Sequence, residues 1–174
     1  MAPPLDIVAV GPVDRSVLDG LGARLGRHGF LPRVTPASAA LRGAYDARLP
    51  RLQALPILAQ LRKERGDHVL AITDIALTDG TREWVYGLGE INGRTAVFST
   101  EPFRRGGLTG EEFLDRMSAA VLHELAHNVG MVHCRNRGCL MNATHEPAAM
   151  RQLDLAFCPS CDRMWRRRIR AGPA

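Results

Sequence analysis

The residues best suited to chemistry are the twelve from His123 to Cys134, which read His-Glu-Leu-Ala-His-Asn-Val-Gly-Met-Val-His-Cys. If Val121–Val129 is helical, His123 and His127 lie one turn apart, at i and i+4 on one face. Two imidazoles so placed bind one zinc from the same side, and Glu124 reaches the open side of the metal as a base. Gly130 ends the helix, because glycine takes the left-handed conformation that turns the chain sharply. The turn returns His133 as a third ligand. Three histidines leave a fourth position for water, the arrangement of a catalytic rather than a closed structural zinc. The competing reading is a buried helix with satisfied core histidines and a surface glutamate. The spacing argues against it, since HExxHxxGxxH fixes five positions together on an amphipathic helix.

A second constellation follows at once. Cys134, Cys139, Cys158 and Cys161 form C-x4-C, then eighteen residues, then C-x2-C. The spacing within each pair lets both sulfurs reach one ion, and the long connection lets the pairs meet. Four thiolates close a tetrahedral zinc with no room for water, so this site contributes folding energy and does no chemistry. Four free thiols or two disulfides are the alternatives. With no cysteine left over, the spacing favours metal. Because Cys134 follows His133 directly, the sequence predicts two zinc ions close together, one catalytic and one structural.

These residues need a scaffold. Leu5–Val10 reads as a buried strand closed by Gly11-Pro12. Asp14 is a candidate N-cap for a helix over Arg15–Arg27, with Val17, Leu18, Leu21 and Leu25 at helical spacing. Phe30–Thr35 is a second strand, placed at an edge by Pro32. Pro36–Pro50 reads as a loop, and Arg51–Glu64 as a second helix that Pro56 breaks or delays. Val69–Thr73 is the strongest strand and the expected centre of the sheet, with Asp74 to Leu77 a possible extension. Trp84–Gly87 and Arg94–Thr100 read as two strands around the hairpin dipeptide Asn92-Gly93. Glu101–Leu108 reads as a loop. Thr109-Gly110-Glu111-Glu112 fits a capping box that opens the histidine-bearing helix, whose apolar stripe is Phe113, Leu114, Met117, Val121 and Leu125. The order predicts an α/β chain, a mixed sheet with helices packed on it. One domain over residues 1–174 is expected, with the sheet, its helices and the histidine helix in about 1–130 and a zinc-stapled, cysteine-rich subregion in 131–174.

Composition sets the class. The chain has 174 residues, enough for a sizeable core, with 45% apolar and 24% charged residues. No apolar run is long enough to span a bilayer, and the start Met1-Ala2-Pro3-Pro4-Leu5-Asp6 does not read as a signal peptide. A cytoplasmic, reducing setting is therefore expected, which favours metal over disulfides. The net charge of +5 permits an acidic partner. The tail Arg163–Arg170 could bind nucleic-acid phosphates, but a helix burying Trp165 and Ile169 with solvated arginines is the favoured reading. His28 and His68 flank turns and read as surface residues. His145, beside Glu146, reads as a solvated loop histidine. A non-catalytic zinc module that binds a protein or nucleic acid is the alternative to an enzyme. Glu124 speaks against it, since a binding module needs no base beside three histidines.

HExxHxxGxxHC-x4-C-x-M followed by C-x2-C resembles the archaemetzincins, a metzincin family of zinc-dependent peptidases. The match runs from Leu122 to Asn142 and resumes from Phe157 to Asp162. Ile72–Gly80 (ITDIALTDG), Val85–Glu90 (VYGLGE) and Ala96–Thr100 (AVFST) look like the strands that the family places before its active-site helix. The resemblance thus covers Leu5 to Trp165. It implies a metzincin-like zincin fold and a zinc metallopeptidase that acts on a peptide or protein substrate, aminopeptidase-like or narrow in specificity. By position, His123, His127 and His133 would hold the catalytic zinc, with Glu124 as general base. Cys134, Cys139, Cys158 and Cys161 would hold the second zinc. Met141 would be the Met-turn methionine beneath the catalytic metal. The segment from Met141 to Cys158 is slightly shorter than the family pattern. Neither tyrosine, Tyr45 or Tyr86, is singled out as an oxyanion stabiliser. The Trp84–Thr100 region is the candidate edge for aligning an extended peptide.

Overall fold

The structure, a computed structural model, describes residues 1–46, 48–142 and 156–171. Five strands form one sheet: β1 (Pro4–Val10), β2 (Leu31–Val34), β4 (His68–Thr73), β6 (Gly87–Gly89) and β7 (Thr95–Ser99), in the order β2-β1-β4-β7-β6. The first four run parallel and β6 runs antiparallel to β7. β4 is central and buried along its whole length, as its unbroken apolar run requires. Alternation along the strands divides the core into two faces. Leu5, Ile7, Leu70, Ile72, Ala96 and Phe98 face α1 (Arg15–Arg27) and the histidine helix α5 (Gly110–Asn128). Val8, Val10, Val69, Ala71 and Val97 face α3 (Ala54–Leu61). The layering is helix, sheet, helix, in agreement with the expected α/β class.

Several boundaries differ from the sequence reading, each for a local reason. Pro36–Pro50 is not all loop: α2 (Ala39–Gly43) forms where the Ser38 hydroxyl accepts the Leu41 N–H, and Leu41 is fully buried. The helix expected from Arg51 starts later, at Ala54. Leu52–Gln53 is instead drawn into a short strand, β3, paired parallel with β5 (Leu77–Thr78). Asp74–Leu77 does not lengthen β4, because the chain leaves the sheet to make that second pairing. Of Trp84–Gly87, only Gly87 lies in β6, although Val85 bridges to Leu77. Glu101–Leu108 contains α4 (Glu101–Arg105), with Pro102 early, an acid in its first turn and arginines in its last. The predicted caps also fail in detail. Neither the Asp14 nor the Thr109 side chain makes a capping hydrogen bond. Gly110 enters α5 with φ of +57° and turns Thr109 away, while Asp14 faces Arg104.

The C-terminal helix α6 (Pro159–Ala171) buries Cys161, Trp165 and Ile169, the packing the tail sequence favoured. The Trp165 indole N–H donates to the His28 carbonyl at 3.0 Å, and its ring meets Phe30 and Phe157. Burying Trp165 and Ile169 contributes about 2–3 kcal/mol each, enough to hold one face of a short helix down. His145 and most of the Met141–Cys158 segment lie outside the described residues.

His68 corrects the sequence reading. It is fully buried at the start of β4, edge-on to Phe30, and neither ring nitrogen has a hydrogen-bond partner among the described residues. Burial lowers its pKa from the usual 6.5, so the fold holds it neutral. Stability from this group is complete above pH about 6.5. It is lost as pH falls, because the unfolded chain takes up the proton first. We expect His68→Leu to be neutral or stabilising at pH 7.5. Urea titrations at pH 7.5 and 5.5 should show a smaller loss on acidification than in wild type; an equal loss would contradict the assignment.

Candidate metal centres

α5 presents His123 and His127 one turn apart, as the spacing predicts. Each ring is fixed from behind by a backbone carbonyl. His123 Nδ1 lies 2.8 Å from the Leu140 carbonyl oxygen, and His127 Nδ1 lies 2.8 Å from that of Met131. A carbonyl can only accept, so Nδ1 carries the proton and Nε2 is left with a lone pair. The two Nε2 atoms are 3.2 Å apart. Gly130, at φ +79°, turns the chain and returns His133, whose ring centre lies 5.3 Å from that of His123 and 5.0 Å from that of His127. One nitrogen from each ring falls within 4.8 Å of the others. Burial lowers the pKa of His127, which favours the neutral, ligating form.

The turn after α5 is stapled from two sides. The Arg168 guanidinium of α6 donates to the Val129 carbonyl at 2.9 Å. Asn92, at φ +55°, donates its backbone N–H to the His127 carbonyl at 3.0 Å. The Asn128 amide bonds the carbonyls of Glu90 and Thr95, both at 2.9 Å. The end of the histidine helix is thereby tied to the β6–β7 hairpin.

Glu124 points to the sheet edge. Its Oε2 accepts the Gly89 backbone N–H at 2.8 Å, and burial raises its pKa against the opposing charge of His127. A carboxylate held this way is a stronger base than a solvated one. Gly89 permits the approach, because a Cβ there would lie 2.9 Å from the Glu124 carbonyl carbon and closer still to its oxygen. We expect Gly89→Val to push β6 off α5, destabilise the fold by about 2–4 kcal/mol and lower any Glu124-dependent activity. Urea unfolding with a parallel assay checks both. A wild-type unfolding midpoint would contradict the close packing.

Around these residues lies a cleft of about 540 Å³, lined by Arg82, Trp84, Tyr86, Gly87, Gly89, Ile91, Ala120, Val132, the three histidines and Glu124, among others. The antiparallel β6 forms its wall and is the sheet's outer strand, which agrees with the expected edge. The sequence did not single out Arg82, Tyr86, Gly89, or the carbonyls of Leu140 and Met131.

The four cysteines meet beside this site, with all their sulfurs within 4.8 Å of one another. Cys134 Sγ and Cys158 Sγ are 4.0 Å apart. Backbone N–H groups of Asn136, Met141 and Cys158 point at the sulfurs of Cys134 and Cys139. The Ser160 hydroxyl and the Cys161 N–H lower the Cys158 thiol to about 6, whereas burial pushes Cys139 and Cys161 up. Met141 is fully buried, and its carbonyl accepts the Cys134 N–H at 2.7 Å.

Both donor sets fit zinc. Tetrahedral zinc spaces its sulfur ligands about 3.8 Å apart and its nitrogens about 3.3 Å. The Cys134–Cys158 sulfur separation of 4.0 Å and the His123–His127 Nε2 separation of 3.2 Å lie close to these values, and the other pairs fall within 4.8 Å. Among the described residues no helix is long and apolar enough to cross a membrane.

Comparison with known proteins gives the same picture. The family model described as peptidase family M54 matches residues 31–167. An archaemetzincin of Haloarcula marismortui is 31% identical, over 91% of this chain and 97% of its own. One from Natronomonas pharaonis is 33% identical, over 70% of this chain and 75% of its own. The crystal structure of archaemetzincin from Methanopyrus kandleri aligns with a TM-score of 0.81 at 24% identity, covering 97% of this chain and 96% of that one. That from Archaeoglobus fulgidus aligns at 0.75, covering 91% and 97%. These structures share the fold. With the family model spanning most of the sequence, the chain belongs to peptidase family M54, alongside the archaemetzincins, and is a zinc metallopeptidase.

Proposed function

We propose that the cleft hydrolyses peptide bonds, with His123, His127 and His133 holding one catalytic zinc and Glu124 acting as general base. We assign a second, structural zinc to Cys134, Cys139, Cys158 and Cys161, and read residues 1–174 as one domain. A zinc ion held by the three imidazoles supplies Lewis acidity, which acidifies water and polarises a carbonyl. The carbonyls of Leu140 and Met131 keep two of the rings in the tautomer that can ligate. Glu124 takes a proton from the attacking water at its carboxylate and returns it to the leaving amine. The Gly89 N–H orients that carboxylate. The open edge of β6 pairs with the backbone of an extended peptide and lays it along the cleft, and Met141 packs as an apolar floor.

The observation that carries this reading is the convergence of three imidazoles and an anchored carboxylate on one cleft beside an open sheet edge. A metal exchange tests it. Stripping the protein with a chelator should abolish cleavage of a mixed peptide pool, and adding zinc back should restore it. Cleavage that continues in fully stripped protein would overturn the assignment.

A further inference from the structure

The cleft holds one feature that hydrolysis itself does not need. Arg82 is the only Arg or Lys among the described residues lining it. Its side chain is 47% exposed, yet Asp79 fixes the guanidinium, accepting from Nε at 2.8 Å and lying 2.7 Å from Nη2. Asp79 is itself built in: its side chain is only 12% exposed and accepts the backbone N–H groups of Thr81 and Arg82. Those bonds hold the Asp79 carboxylate well below its usual range, so it stays ionised. The Thr78 hydroxyl closes the same turn on the Arg82 carbonyl at 2.6 Å. An ordinary surface ion pair of two long side chains is loosely held; here the turn holds the arginine in place.

The topology says which part of a substrate Arg82 meets. The chain runs from Arg82 through Trp84 and Tyr86 into β6. A peptide pairing antiparallel with β6 lays its C-terminal half beside the N-terminal end of that strand. Trp84 and Tyr86, stacked edge to face at 5.2 Å, line this end. Asp79 takes Nε and one side of Nη2, and the rest of the guanidinium fork suits an oxygen pair.

Resting on the peptidase reading above, we propose that Arg82 is a specificity-determining residue. It selects substrates with a carboxylate on the C-terminal side of the scissile bond. That carboxylate comes either from the peptide's own C-terminus or from an Asp or Glu side chain, and the guanidinium reads the same chemistry in both.

Equilibrium binding to zinc-loaded Glu124→Ala protein tests this without turnover. The probes are neutral peptides with a free or an amidated C-terminus, and amidated peptides with Glu or Gln after the cut. A carboxylate should tighten binding at least about tenfold in one pair. The C-terminal pair and the Glu/Gln pair tell the two sources apart. Arg82→Gln in the same background should abolish the preference and leave amide-peptide affinity unchanged, and Arg82→Lys should recover part of it. No preference in either pair, or a preference that survives Arg82→Gln, would overturn the proposal. So would an equal loss of affinity for every peptide in Arg82→Gln, the mark of a merely structural role. In turnover by the wild type, the preference should appear mainly in KM. If wild type cleaves nothing while the binding preference stands, the peptidase reading fails and the carboxylate site does not.

Discussion

Glu124→Ala should keep its metal and lose its activity. We expect kcat/KM on peptides to fall by about 10²–10⁴, the usual worth of a positioned general base, with zinc content at the wild-type value. The reason is local. Glu124 shares a helical turn with His123 and His127 but ligates nothing itself; its carboxylate is turned to the Gly89 N–H. Removing it leaves the imidazoles and their supporting carbonyls in place. Glu124→Gln is the stricter variant, because an amide oxygen still accepts from Gly89 while the proton acceptor is gone. Loss of activity in both, with zinc retained in both, separates base chemistry from packing. If Glu124→Gln works as wild type, the carboxylate is not the base.

The second large effect concerns stability. Cys139→Ser or Cys158→Ser should lower zinc content from two ions per chain to one and cost several kcal/mol of folding free energy. Structural zinc sites contribute on the order of 10 kcal/mol when whole. The four cysteines join the loop after α5 to the start of α6. Through α6 they hold down Trp165 and Ile169 and keep Arg168 on the Val129 carbonyl. Loosening them therefore reaches the turn that carries His133, next to Cys134, and activity should fall along with stability. Zinc analysis and urea denaturation of the purified variants check this. Two zinc ions and a wild-type unfolding midpoint would show that the thiols do not bind metal.

The sequence made the candidate ligands legible because their chemistry is written in residue types at fixed offsets. Histidines at i and i+4, a glycine at the turn and two cysteine pairs leave little geometric choice, and the structure brings both sets together. The buried strands were legible for a similar reason, since Leu5–Val10 and Val69–Thr73 are runs that only a covered sheet can bury. What stayed hidden depends on backbone atoms or distant partners. The carbonyls of Leu140 and Met131 carry no side-chain signal. Gly89 reads as one more glycine until α5 is laid against it. His68 beside a turn looks like a surface residue, but the central strand carries it inside. Short α2 and α4 were lost among glycines and prolines because each is only five residues long and buries little, Leu41 in the first and Pro102 and Phe103 in the second.

The most direct test of the central claim is cleavage of a mixed peptide library, read by mass spectrometry in ¹⁸O-labelled water. Zinc-loaded wild type should be run beside Glu124→Ala of equal zinc content. The predicted result is a set of new peptide ends that carry the label in wild type and are missing in the variant. Silence from both, with zinc measured in each, would contradict peptide-bond hydrolysis at this site.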